Sequence, residues 1–388
     1  MTDVCAFKKR KLSSSVETGV VEANSSSTII NDNVEKGDFS PTSFNGPFAE
    51  DIIFEILHFL ESLFIIQIGM KISKQWRQVS FQIPLSLSFI PNHFKQTRES
   101  IKLLADCECL KNLSSLNLHG NEIGNEGVSY ISASEYLKNL VSLDLGWNRI
   151  GIEGVKYIST SESLKNLTSL DMRHNRIDSE GVKYISTCES LKNLVSLVLG
   201  WNDIGSEGVK YIATSESLKK LTYLNLGWNN IGSEGVEYIA TSESLKNLTS
   251  LNLIYNEIGS GIKYIASSES LRNLISLNLD GNDVGNEGVK YIATSESLKS
   301  LTSLNLRSNE VGNEGVKYIS TSKSLKNLTS LNLSENIIDS EGVKYIATSE
   351  SLKNLTSLNL RGNEIGNEGV KYIATSEWLK KLKKPVRF

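Results

Sequence analysis

LKKLTYLNLGWNNIGSEGVEYIATSES, residues 218–244, decides the fold, because the phrase returns almost unchanged along most of the chain. Its Leu-x-Leu-x-x-Asn segment recurs with Asn121, Asn148, Asn175, Asn202, Asn229, Asn256, Asn282, Asn309, Asn336 and Asn363. Every step is 27 residues except the 26 between Asn256 and Asn282, where Ser260-Gly261 replaces the usual Ser-Glu-Gly or Asn-Glu-Gly. A fixed period of this size predicts a solenoid, since one such unit is too small to close a core alone.

Within the phrase, Leu224 and Leu226 alternate with Asn225, which is strand periodicity. Asn229 follows where the strand ends, and its amide can bond the bent backbone, so that stacked copies form an Asn ladder. Gly232 suits a loop conformation closed to most residues. Ser233 reads as the N-cap of a helix opening with Glu234. Gly235 allows close approach, Val236 and Ile239 point inward together, and Leu245 and Leu248 lead to the next strand.

Strand, turn, helix and return, stacked ten times, predict an α/β solenoid shaped as a horseshoe. A parallel β-sheet would line the concave face and helices the convex face. The pattern resembles the leucine-rich repeat family, in its longer-repeat, ribonuclease-inhibitor-like class. The resemblance covers residues 110–379, about 70% of the chain, with Met172 replacing one strand leucine. Leu85 and Leu87 are expected in a capping segment over 83–109. After Leu379 and Leu382, Pro385 stands where the next strand leucine belongs and ends the array. Trp378 is expected over the last helix, and 380–388 is a basic tail.

A net charge of −3 gives no basis for nucleic-acid or membrane binding. Four cysteines, Cys5, Cys107, Cys109 and Cys188, lack paired metal spacing. Cys107 and Cys109 are read as free thiols in a reducing compartment. Residues 1–45 are polar and expected to be disordered. They contain Lys8-Lys9-Arg10-Lys11, a candidate nuclear import signal. The apolar stretch from Ile52 to Met70 is interrupted by Glu55, His58, Glu61 and Gln67, so it reads as buried helices and not a membrane span.

Residues 46–82 predict three short helices. Ile52, Ile53, Ile56, Leu57 and Leu60 share one helical face, a second run spans Leu63 to Met70, and a third element carries Ile72, Trp76 and Val79. The module resembles the F-box. Phe48 stands at the family's opening Leu, Asp51-Ile52-Ile53 matches its acidic-apolar-apolar start, and Ile72-Ser73-Lys74-Gln75-Trp76 matches its Val-Cys-Lys-x-Trp ending. Ala49 replaces the usual Pro, and the middle segment lacks the usual polar residues. The resemblance implies that Ile52, Ile53, Ile56, Leu60 and Trp76 dock, or support docking, onto the adaptor subunit of an SCF-type (cullin–RING) ubiquitin ligase.

No catalytic constellation, metal site or phosphate loop emerges. The chain is read as a non-enzyme without cofactors. The variable slots around the strands form the candidate target-binding face: Trp147, Arg173, His174, Trp201, Tyr223, Trp228, Ile254, Tyr255, Asp280, Arg307, Glu335 and Arg361. Trp147, His174, Trp201, Trp228 and Tyr255 occupy one slot in five consecutive repeats, a stripe of roughly 20 Å at ~4.8 Å per strand. Such aromatics supply binding hot spots, or they stack on one another and bind nothing. The order of modules implies a substrate receptor: the F-box-like head holds the ligase adaptor and the repeats hold an unknown target protein. A scaffold with a cap-like head stands as the alternative. A regulator of Ran GTPase-activating type is third, disfavoured by the basic tail, Lys380 to Arg387. A monomer outside the complex, in the cytoplasm and with a candidate signal for the nucleus, completes the expectation.

Overall fold

The computed structural model describes residues 50–58, 60–94, 98–383 and 386. The expected tail 1–45, with its basic cluster, lies outside them, as do Phe48, Ala49 and Pro385.

Eleven parallel strands form one sheet in sequence order. The first, β1 (Leu85–Ser88), precedes the repeats, as expected of a cap, and pairs with β2 (Leu113–Asn117) through a register irregularity between Leu85 and Ser86. The remaining strands are three residues each, from β3 (Ser142–Asp144) to β11 (Ser357–Asn359), with leucine facing leucine across every pair. The period explains that register: equal repeats put equal residues side by side. Helices such as Gly232–Thr241 return the backbone on the other side, and leucines, isoleucines and valines from both layers are wholly buried between them.

The Asn ladder forms as expected. Asn148 is fully buried; its Oδ1 accepts from Asn121 N (3.1 Å) and Ile123 N (3.3 Å), and its Nδ2 donates to Leu118 O and Gly146 O (both 2.9 Å). Each Asn therefore closes its own turn and binds the preceding repeat. A second ladder runs beside it that the sequence pattern did not suggest. Ser161, Ser215, Ser242, Ser268, Ser295, Ser322 and Ser349 each donate their hydroxyl to a carbonyl one repeat back, as Ser161 does to Ser132 O (2.6 Å). Cys188 stands in this position in the third repeat, and its thiol turns to Ile185 O instead (3.3 Å).

Three expectations are corrected. Ser233 is not an N-cap: the helix already begins at Gly232, whose φ of +60° makes the turn by itself. Ile72 belongs to the helix before Trp76, because Ser73 is extended and its hydroxyl accepts from Trp76 N (3.2 Å), starting a new helix at Lys74. Cys107 and Cys109 form a disulfide: the short 3-10 turn Glu108–Leu110 leaves their Cα atoms 5.3 Å apart, within bridging range. Among the described residues no helix is long and apolar enough to cross a membrane.

The head folds as three helical stretches: Glu50–His58, then Ser62–Phe64 continuing through a π-helical turn Ile65–Gly69 into Met70–Ile72, then Lys74–Ser80. Ile53, Leu57, Ile65, Met70 and Val79 form its interior and join the same core as the repeats. Ser86 N donates to Ser62 Oγ (2.8 Å), tying the head to the edge of β1.

Candidate functional site

The slot holding the aromatic stripe lies just past each strand. Its backbone extends the ladder: Trp147 N donates to Arg173 O (2.9 Å), Trp201 N to Gly227 O (2.8 Å) and Trp228 N to Ile254 O (2.7 Å). In all ten repeats this residue has positive φ, from +49° at Tyr255 to +73° at Gly362. Glycine fills it at Gly120, Gly281 and Gly362. Each bulky residue there costs about 1–2 kcal/mol of backbone strain.

The rings offset that cost by stacking. Trp147 and His174 lie 3.4 Å apart at 15°, Trp201 and Trp228 4.2 Å apart at 19°, and Trp228 and Tyr255 4.1 Å apart at 26°. Between the two stacks, His174 and Trp201 are tilted by 55° at 6.0 Å. Such pairs are worth about 0.5–1.5 kcal/mol each. Partial burial among these rings, then the nearby His119, lowers the His174 pKa. The binding and stacking readings therefore meet: each tryptophan stacks on a neighbouring ring, while Trp147 and Trp201 stay 49% and 48% exposed. Beyond Tyr255 the stripe stops at Gly281, where a Cβ would come within 2.5 Å of the tyrosine ring.

Charged residues flank the stripe. Towards the N-terminus, Arg173 forks onto the Asp171 carboxylate (Nε to Oδ2, 2.8 Å), and His119 stands 3.6 Å from Asp144. Burial raises the Asp144 pKa, opposed by the amide of Gly146. Tyr223, on β6 (Tyr223–Asn225), and Ile254 are half-buried between the two charged groups. Towards the C-terminus, Asp280, Arg307, Asn332, Ser334, Glu335, Asn359 and Arg361 line a hollow of about 360 Å³. Arg307 Nη2 reaches both Glu335 oxygens at 2.7 Å, Ser308 Oγ adds a bond at 3.0 Å, and Arg307 Nη1 lies 3.6 Å from Asp280. Burial pushes the Asp280 pKa up, against the attraction of Arg307. Hydrogen bonds from Arg307 and then Ser308 hold the Glu335 carboxyl below its usual range. Sequence reading missed Asn332, Ser334 and Asn359, because the first and last look like repeat-wide Asn spelling.

In the head, the expected docking residues divide. Ile53 is fully buried, Leu60 and Trp76 pack partly against the core, Ile56 is exposed, and the side chain of Ile52 lies outside the described residues. An exposed face that went unread runs through Phe64 (42% exposed), Ile68 (47%) and Ile72 (53%). Its signal was the i, i+4, i+8 spacing within one helical run.

Nine segments match the "Leucine Rich repeat" family: 109–132, 136–159, 163–186, 190–213, 217–240, 270–293, 297–320, 324–347 and 351–374, together more than half of the 388 residues. The chain belongs to this family. The matches leave out the 26-residue repeat, whose helix opens with a 3-10 turn, Gly259–Gly261, and shortens to Ile262–Ser267. They begin at residue 109, so the head lies outside them. No curated protein matches the sequence. Among solved structures, an internalin of Listeria monocytogenes strain 4b F2365 is similar at 24% identity and a TM-score of 0.40; the match covers 71% of this protein and 80% of the internalin.

Proposed function

From the premise of a leucine-rich repeat protein, we propose that this chain is a two-ended protein-binding scaffold that acts as a substrate receptor of an SCF-type ubiquitin ligase. The head docks the adaptor subunit and the sheet holds the target. The observation that carries this reading is the exposed row Phe64, Ile68 and Ile72, with Ile56 also exposed on the first helix. A short module that keeps four large apolar side chains in water is built to place a helix face against a partner. The repeats contribute a separate surface, so adaptor and target can be held together and their effective concentration raised. The ligase reading places the protein in the cytoplasm or nucleus, where a bridged Cys107–Cys109 pair would be a transient state.

One observation favours the plain scaffold: the head shares its core with the first repeats and is pinned to β1 by the Ser62–Ser86 bond, as a cap would be. A pull-down of the full-length protein with the purified adaptor subunit separates the two. The wild type is expected to bind and an Ile68→Asp/Ile72→Asp variant to lose binding while its circular dichroism stays unchanged. A folded wild type that captures no adaptor reduces the head to a cap. Trp76 and Ile53 are unsuitable for this test, because truncating core residues would confuse lost docking with lost folding.

A further inference from the structure

The hollow over repeats seven to ten has a chemistry of its own. Asn332 Oδ1 accepts from Ser334 N (3.1 Å) and Ser334 Oγ (2.8 Å), and Asn359 Oδ1 accepts from Arg361 N (3.2 Å). Each oxygen is thereby turned to the backbone, and each amide NH2 is left without a partner among the described residues. The Arg361 guanidinium, exposed at the rim, makes no side-chain hydrogen bond to them either. Two acids also face the space. Glu335 is spent on Arg307 and Ser308. Asp280 is sunk in the floor, with its Oδ1 shut off from solvent and unpaired. Two arginines against two acids leave the hollow close to neutral. Its selectivity therefore comes from unused hydrogen-bond valence, and that valence is almost wholly of donors.

A planar five-donor fork beside two amide donors matches a carboxylate, which accepts at two oxygens and takes bidentate bonds from arginine. We propose that this hollow holds an acidic side chain, Glu or Asp, of the protein bound along the sheet, with Arg361 as its principal contact and Asn332 and Asn359 completing the cradle. The neighbouring aromatic ridge, with Trp147 and Trp201 about half exposed, adds apolar contact, so the preferred partner is an extended segment with an apolar residue towards Tyr255 and an acidic one towards Arg361. The inference rests on the sheet being the target-binding face. It is independent of the head, so a failed adaptor pull-down and a failed test here cannot be mistaken for each other.

The test uses the full-length protein labelled with 15N-arginine and follows the Arg361 Nε–H resonance by NMR. The probe is N-acetyl-glutamate N-methylamide, whose only carboxylate is the side chain. A saturable shift is expected, absent with N-acetyl-glutamine N-methylamide. Saturation monitored at Arg307 should weaken about tenfold or more in Arg361→Gln, the worth of a charge-assisted hydrogen bond. Arg176→Gln, elsewhere on the surface, should leave it unchanged. No saturable shift, equal response to the glutamine analogue, or undiminished binding in Arg361→Gln overturns the proposal. Tighter binding of N-acetylglycine overturns it too, by assigning the hollow to the terminal carboxylate of a polypeptide.

Discussion

At the scale of single residues, the slot of Trp228 shows two forces in opposition. The left-handed backbone asks for glycine, and the ring stack asks for an aromatic. Changing Trp228 to Ala removes both stacks and keeps the strain, whereas changing it to Gly removes both stacks and the strain together. Trp228→Gly is therefore expected to be the more stable of the two by about 1 kcal/mol, the reverse of the usual Ala-over-Gly order. Comparing their urea midpoints by circular dichroism checks this, and equal midpoints would remove the strain argument. The glycines at 120, 281 and 362 already marked the slot as special in the sequence. The aromatic copies hid the reason, because bulky side chains seldom tolerate positive φ.

At the scale of elements, one sequence position adopts two backbone states, and an asparagine of the preceding repeat holds the extended one at Gly151 and Gly312. Gly285 has φ of +61°, after Ser260 one repeat back. Gly312 is extended, with φ of −103°, because Asn286 of the preceding repeat reaches across: its Oδ1 accepts from Gly312 N (2.8 Å) and Gly315 N (3.0 Å) and caps the next helix. Asn125 caps the helix after Gly151 in the same way. Where Asp replaces the glycine, at Asp178 and Asp339, its own carboxylate caps the helix. Gly285→Ala is therefore expected to cost about 1 kcal/mol although nothing crowds its Cβ, while Gly312→Ala is expected to be neutral or slightly stabilising. Thermal midpoints of the two variants decide it; equal losses would mean that the Asn cap does not set the backbone. The alternation of Ser-Glu-Gly and Asn-Glu-Gly was visible in the sequence, yet its meaning depends on a contact 26 residues away.

At the scale of the whole molecule, the two ends are unequal. The head seals the N-terminal edge with its own buried side chains, joined to the repeat core. At the other end, only Gly369 is buried within the last helix, Asn367–Thr375, and Val370 is 39% exposed where Val343 one repeat earlier is fully buried. Leu379 is buried and Lys383 N bonds Thr356 O (3.0 Å), the one ladder bond to this strand edge among the described residues, while Trp378 stays 37% exposed. In a solenoid each repeat is stabilised chiefly by its neighbours. Amides of 367–375 are therefore expected to exchange about tenfold faster or more than those of 340–347 in native-state hydrogen exchange. Uniform protection along the array would show that the thin end suffices as a cap.

The repeat period alone determined the parallel sheet, its register and the Asn ladder, and local apolar spacing determined the three-helix head, because each is repeated or local and one copy of the pattern explains the rest. The tertiary structure decided what depends on neighbours in space. Rings pair face to face at Trp147–His174 and along Trp201–Trp228–Tyr255, Ile53 is core while Phe64 and Ile68 face outward, and two strand asparagines with Arg361 assemble a donor cradle. Periodicity says which side of an element a residue occupies; only the packed repeats determine which of its hydrogen-bond and apolar valences remain unspent.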